Sequence, residues 1–264
     1  MDSDEANHPY VNRGSAVLKT VVGSIPTVGS NPTPSASRIR ADLPWPSSGG
    51  FRSVRYTGRM PPRIVVIDYG AGNLRSVSRA VAHCGHEPVV TADPHEVATA
   101  DGLIVPGVGA AADTMRNLRE HGMVEPIRDF IASGRPFFGV CMGQQALLSV
   151  SEEGGEHECL GIIEGRVRRL PGGQKVPHMG WNQVRQRTEH AIFEDIPDES
   201  NFYFVHSYYP DPADPDVIIG ETEYGVTFAS VLARGNVVAT QFHPEKSGEM
   251  GLRMYANFLR IVTG

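Results

Sequence analysis

Ile64-Val65-Val66-Ile67, entered from Arg63 and followed by Asp68-Tyr69-Gly70-Ala71-Gly72-Asn73, is the stretch that decides the fold of this chain. Its apolar run is short, continuous and closed by a glycine turn, the pattern of a strand covered on both faces in a parallel sheet. Asn73 then stands where it can cap a helix running to about Cys84 and closed by Gly85. The same order repeats downstream. Residues 87–91, 102–105 and 136–140 read as strands, and 114–121 and 124–133 as helices. This alternation predicts an α/β fold, an open and mostly parallel sheet flanked by helices.

Beyond Gly161 strands follow one another through short turns, at residues 166–170, 181–187, 202–208, 217–222, 228–233 and 237–242. Arg234-Gly235-Asn236 reads as a hairpin turn. These segments predict antiparallel additions to the sheet in the C-terminal half, and residues 251–262 close the chain as an amphipathic helix.

Upstream of the first strand the texture is different. Residues 1–60 hold nine Ser, six Pro and six Gly, with no sustained helical or strand periodicity. Such a stretch buries too little apolar surface to offset its ordering entropy, so residues 1–60 are expected to be a disordered extension and residues 61–264 the folded domain. Seven basic and four acidic residues give the extension 7 − 4 = +3, which leaves −9 on the remainder of a chain of net charge −6.

That negative charge disfavours a nucleic-acid partner. No uninterrupted apolar run approaches the roughly 20 residues of a bilayer-spanning helix. Asp2, Asp4 and Glu5 also stand where a secretory signal carries positive charge, so a cytoplasmic location is expected. Three cysteines, Cys84, Cys141 and Cys159, form neither a disulfide framework nor a zinc pattern. His83-Cys84 with His86 at a helix end suits no common metal geometry, and neither metal nor cofactor is expected.

The strongest chemical signal is Phe138-Gly139-Val140-Cys141-Met142-Gly143, a G-x-C-x-G where a strand ends and a helix begins. This is the sequence of a nucleophile elbow with sulfur as the reactive atom, and a helix N-terminus behind it favours the thiolate. Taken alone, the same pattern also describes a structural cysteine between two packing glycines. Thr240-Gln241-Phe242-His243-Pro244-Glu245 alters that balance. A strand over 237–242 delivers His243 and Glu245, with Pro244 fixing the backbone between them so that both side chains point to one side. Cys141, His243 and Glu245 are then the parts of an activated-thiol triad. Val105-Pro106-Gly107-Val108-Gly109 ends another parallel strand. Its glycines let backbone amides approach a ligand, and with the Met142 amide it is a candidate oxyanion hole.

Together these segments resemble the triad, or class I, glutamine amidotransferases, whose fold is flavodoxin-like. Within that family Val176-Pro177-His178-Met179-Gly180-Trp181-Asn182, Tyr203-Phe204-Val205-His206-Ser207-Tyr208-Tyr209 and Gln241 to Ser247 resemble the glutaminase subunits of imidazole glycerol phosphate synthases. The resemblance runs from about residue 63 to the end. It implies hydrolysis of L-glutamine through a thioester on Cys141, with His243 as base and acid, Glu245 orienting it, and Gln145 with Gly107, Val108 and Gly109 holding the substrate. It also implies a heterodimer with a (β/α)₈ cyclase subunit. The cyclase uses the ammonia to make imidazole glycerol phosphate and aminoimidazole carboxamide ribonucleotide in histidine biosynthesis. Asn73, Trp181, Tyr203 and Lys246 match family positions that face this cyclase.

The chain departs from the family pattern at Ala111, where many members carry Phe, and at Gln144, where Met is common. Three other readings stay open on sequence: a glutaminase serving a different synthase, such as that for pyridoxal phosphate; a docking module without catalysis; and a cysteine hydrolase of peptides. The Gly107–Gly109 loop further predicts low turnover for the chain alone, because such a loop can hold its donors misplaced until a partner binds.

Overall fold

Ile64, Val65, Val66 and Ile67 are fully buried, alternate residues facing two separate apolar cores. That is the consequence of a four-residue apolar strand with a period of two: each face must meet its own layer of helices. A computed structural model describes residues 61–264. The expected extension, residues 1–60, lies outside the described residues.

In chain order the parallel part is β1 (Ile64–Ile67), α1 (Leu74–His83), β2 (Val89–Thr91), α2 (Pro94–Ala98), β3 (Gly102–Val105), α3 (Ala111–Glu120), α4 (Val124–Ala132), β4 (Phe137–Val140) and α5 (Met142–Gln145). Then come β5 (Val150–Ser151), β6 (His157–Glu158), β7 (Gly165–Arg169), β8 (His178–Gln186), β9 (Ser200–His206), β10 (Tyr208–Pro212), β11 (Ile218–Glu223), β12 (Thr227–Arg234), β13 (Val237–Thr240) and α6 (Gly248–Thr263).

A nine-stranded sheet runs β2-β1-β3-β4-β13-β12-β11-β8-β9. Its first five strands are parallel, and from β13 onward each neighbour is antiparallel. One face packs on α3 and α4 through Met115, Leu118, Ile127 and Phe130. The other packs on α1 and α6 through Val77, Val81, Met254 and Phe258. The hairpin between β12 and β13 turns at Gly235, whose φ of +58° suits glycine.

Two expectations need correction. The strand read over 166–170 does not extend the main sheet: β7 belongs to a second, four-stranded sheet ordered β10-β7-β5-β6. The single strand read over 202–208 is two. β9 ends at His206, and after Ser207 the chain leaves one sheet as β10 and enters the other. No glycine turn marks the crossing, so the aromatic run Phe202 to Tyr208 reads as one strand. Asn73 does occupy the N-cap of α1, but its side chain makes no capping bond.

Parallel strands set up the site. β1, β3, β4 and β13 all run the same way, so their C-terminal ends deliver Asn73, the Gly107–Gly109 loop, Cys141 and His243 to one edge of the sheet.

Candidate active site

Cys141 follows β4 at φ +55°, ψ −105°, a left-handed backbone conformation rare for a residue with a side chain. The neighbouring glycines show why the turn can exist. A Cβ on Gly143 would lie 1.9 Å from the Val105 carbonyl oxygen, and one on Gly139 would lie 2.7 Å from that of Gly143. Both glycines of the G-x-C-x-G pattern are therefore steric necessities. The helix behind the sulfur, α5, is a single turn, so little macrodipole stands behind Cys141 to favour the thiolate as expected.

His243 arrives from β13 by a different route than expected. The strand ends at Thr240, and Pro244–Lys246 form a 3₁₀ turn that places His243 Nδ1 2.9 Å from Glu245 Oε1. A residue pair two apart in a strand would also share a face; here the tight turn does the work instead. Burial pulls the imidazole toward its neutral form, but Cys141 and then Glu245 outweigh it and push the His243 pKa up to about 10. Its Nε2 is buried with no well-formed hydrogen bond.

Ser247 fastens this turn to the sheet. Its hydroxyl donates to the His243 carbonyl at 2.6 Å and accepts from the Tyr203 amide at 2.9 Å, while His243 N–H donates to the Tyr203 carbonyl at 3.0 Å. Gly251 of α6 packs so tightly on the turn that a Cβ there would lie 1.9 Å from the Pro244 carbonyl oxygen.

A cavity of about 250 Å³ opens at this edge. It is lined by Val108, Gly109, Cys141, Met142, Gln145, Glu153, Val205, His206, Ser207, Tyr208 and His243. Thus seven of the expected residues, Cys141, His243, Val108, Gly109, Met142 and Gln145 at the wall and Glu245 behind His243, come together. Gly107 sits behind the wall, where a Cβ would lie 2.4 Å from the Met142 Cβ and 2.5 Å from the Tyr69 hydroxyl. Tyr69 donates to the Pro106 carbonyl at 2.9 Å and so ties the loop to the end of β1.

Glu153, Gln241, His206, Ser207 and Tyr208 were missed as site residues. Glu153 lies in the link after β5, and its Oε2 accepts the Ala111 amide at 2.7 Å, bracing the loop from the far side. His206 to Tyr208 reach the cavity only because the chain changes sheets there. Of the two family departures, Ala111 is buried, and buried Gln144 donates to the Ala239 carbonyl at 3.3 Å while its Oε1 has no partner.

A buried pair of histidines flanks the cavity. His206 Nδ1 lies 2.9 Å from the Tyr208 carbonyl, which can only accept, so His206 Nε2 must accept from His178 Nδ1 at 3.0 Å. His178 Nε2 then accepts from Asn182 at 3.3 Å. Burial holds both rings neutral, lowering His178 to about 4 and His206 to about 3. His178 is stacked between Phe204 and Tyr224.

Next to the cavity, β8 presents Met179 and Trp181 outward, 60% and 57% exposed. Trp181 meets Tyr203 edge to face across the strands, ring centroids 6.2 Å apart. Lys246 is exposed at the end of the 3₁₀ turn, and Asn73 is half-buried at the start of α1, which packs on that turn. The four residues matched to a partner face therefore surround the triad edge, and Trp181 is not a core residue. Among the described residues no group of His, Cys, Asp and Glu is placed to hold a metal ion, and no helix is long and apolar enough to cross a membrane.

Comparison with known proteins identifies relatives. A family model described as glutamine amidotransferase class-I matches residues 65–262. The chain is 50% identical over 201 residues to the imidazole glycerol phosphate synthase subunit HisH of Dehalococcoides mccartyi strain CBDB1, covering 76% of this chain and 98% of that one. It is 51% identical over 199 residues to the subunit of the same name from Moorella thermoacetica, covering 75% and 95%. Among solved structures, the crystal structure of a glutamine amidotransferase shares the fold at TM-score 0.59 and 22% identity, covering 76% of this chain and 99% of that one. PurLQS from Thermotoga maritima does so at TM-score 0.60 and 17% identity, covering 76% and 99%.

Proposed function

The chain belongs to the class-I glutamine amidotransferase family, and from that premise we propose that it is the glutaminase subunit of an imidazole glycerol phosphate synthase. One observation carries the reading: a cysteine at a strained elbow and a Glu-bound histidine share one small cavity.

In this reading the Cys141 sulfur attacks the side-chain carboxamide carbon of glutamine. Negative charge develops on the amide oxygen, where the Met142 amide and the Val108–Gly109 loop supply donors. His243, held protonated and aimed by Glu245, gives its proton to the departing nitrogen. Ammonia leaves and a γ-glutamyl thioester remains on Cys141. Neutral His243 then takes a proton from water, which attacks the thioester and releases glutamate. The 250 Å³ cavity is smaller than the ~300–1,000 Å³ typical of drug-sized ligands and suits one amino acid. Among the described residues Glu153 is the only acidic one in its wall, a place for the α-ammonium of glutamine.

Ammonia released into neutral water is mostly protonated and lost as a nucleophile, so the product must pass directly to an acceptor enzyme. Exposed Trp181 and Met179, with half-buried Tyr203, beside Lys246 and Asn73 form the surface proposed to dock that enzyme, with aromatic anchors of the kind that carry interface energy. Its proposed partner is the cyclase subunit in histidine biosynthesis, a reading supported by relatives about 50% identical over nearly their whole length that are named as imidazole glycerol phosphate synthase subunits, and the proposed location is the cytoplasm.

The test is to combine the chain with the cyclase. Cys141→Ala should abolish glutamine-dependent synthesis of imidazole glycerol phosphate and preserve synthesis from added ammonia. Retained glutamine-dependent synthesis in that variant would remove Cys141 from the reaction.

A further inference from the structure

Gln241 is fully buried two residues before His243, and its side chain touches both the nucleophilic sulfur and a residue of the cavity wall. The orientation of its amide is fixed from an end that has no choice. The Tyr208 carbonyl can only accept, and it is held in place by His206. Gln145 Nε2 lies 2.9 Å from that carbonyl, so the nitrogen of the Gln145 amide must be on this side. The same Nε2 lies 2.9 Å from Gln241 Oε1. Both hydrogens of the Gln145 amide are then used, and its Oε1 is buried with no partner at a residue that lines the cavity.

Because Gln241 Oε1 is committed as an acceptor, its Nε2 must point the other way, where it lies 3.8 Å from Cys141 Sγ. Turning the Gln145 amide over would set its oxygen against the Tyr208 carbonyl, acceptor against acceptor, and turning Gln241 over would set donor against donor toward Gln145 and an amide oxygen against the sulfur's lone pairs. The direction therefore runs without ambiguity: Gln145 donates to Gln241, and Gln241 donates to sulfur.

We infer that Gln241 serves glutamine hydrolysis twice, as a fixed hydrogen-bond donor to the Cys141 sulfur and as the clamp that turns the Gln145 carbonyl oxygen toward the substrate. The inference rests on the reading of Cys141 as nucleophile and of the cavity as the glutamine site. It also supplies what the one-turn helix α5 does not, a directed N–H on the attacking atom. The unpartnered Gln145 Oε1 suits an N–H donor of the substrate, its carboxamide or its ammonium.

The two tasks separate experimentally in the full chain bound to cyclase. Gln241→Glu keeps an acceptor toward Gln145 but offers the sulfur an oxygen in place of N–H. At pH 8.5 it should hold KM for glutamine near the unsubstituted value while kcat falls roughly ten- to hundredfold, the scale of a lost bond to a charged group. Gln241→Leu loses both roles, so KM should rise as well as kcat fall. Carboxamidomethylation of Cys141 by iodoacetamide should slow in both variants. Unchanged kcat and alkylation rates in either variant would overturn the donor role, and unchanged KM in Gln241→Leu would overturn the clamp.

Should both variants fail to fold, the unsubstituted chain still decides. One Gln241 side-chain amide proton resonance should move when Cys141 is alkylated, while the Gln145 pair, held by two oxygens, stays. A stationary Gln241 resonance would overturn the inference. Failure of the unsubstituted complex to consume glutamine would instead strike the functional reading, and the alkylation and resonance arms would judge Gln241 regardless.

Discussion

At the scale of single residues, the reactive pair is held together by opposing forces of unequal size. Burial alone would keep His243 neutral, yet Cys141 and Glu245 drive its pKa up to about 10. Since the folded value lies above the ordinary ~6.5, the ring is protonated in the folded protein through neutral pH, and the stability this pairing contributes is present below ~6.5 and lost as pH rises through about 10. Cys141→Ala removes the strongest of the influences that raise it and leaves burial intact, so the His243 pKa should fall in that variant. Imidazole resonances followed against pH will show it, and an unmoved titration would mean that the sulfur does not act on the ring. Cys141, His243 and Glu245 were legible in the sequence because elbow glycines and a proline-separated pair are local patterns. Gln241 was not, because its importance comes from where Gln145 and Tyr208 point, which no spacing encodes.

At the scale of elements, the loops at the C-terminal ends of the parallel strands are shaped by what cannot fit beside them. Gly143→Ala would drive a methyl into the Val105 carbonyl and should cost about 1–3 kcal/mol or more with loss of glutaminase activity. Gly109→Ala meets open space, but its φ of +105° penalises any side chain, and it should cost only ~1 kcal/mol while displacing the proposed oxyanion donors. Denaturant unfolding of the two variants, read beside activity, will distinguish crowding from backbone strain; equal stability losses would contradict the geometry.

The histidine pair makes a separate demand on β8 and β9. His178 and His206 are held neutral in the fold, at about 4 and 3, while in the unfolded chain they protonate near ~6.5. The unfolded state thus binds more protons as pH falls from ~6.5 toward 4, and stability should decline across that window. Urea unfolding between pH 7 and 4.5 should show this decline shrink in His178→Phe, which keeps the ring stack with Phe204 and Tyr224. An unchanged slope would release His178 from that role. Strands at these places were legible, but β8 starts three residues earlier than expected, and the break between β9 and β10 stayed hidden because the crossing at Ser207 carries no glycine turn to mark it.

At the scale of the molecule, a parallel sheet gathers the reactive groups on one edge and an antiparallel extension sets an apolar face beside them. Trp181 stands 57% exposed, and through Tyr203 this face is hydrogen-bonded to the backbone of His243. Trp181→Ala should leave the stability of the chain within ~0.5 kcal/mol and weaken cyclase binding by ~2 kcal/mol, about thirtyfold, in calorimetric titration. Loss of stability without loss of affinity would return Trp181 to the core. Cys141 and His243 are proposed to act together in a cavity that the cyclase completes, and glutamine consumption by the chain alone and with the cyclase measures this most directly. Turnover should be slow for the chain alone, rise steeply with the cyclase and vanish in Cys141→Ala; equal turnover with and without the cyclase, or activity that survives the loss of the sulfur, would contradict joint action.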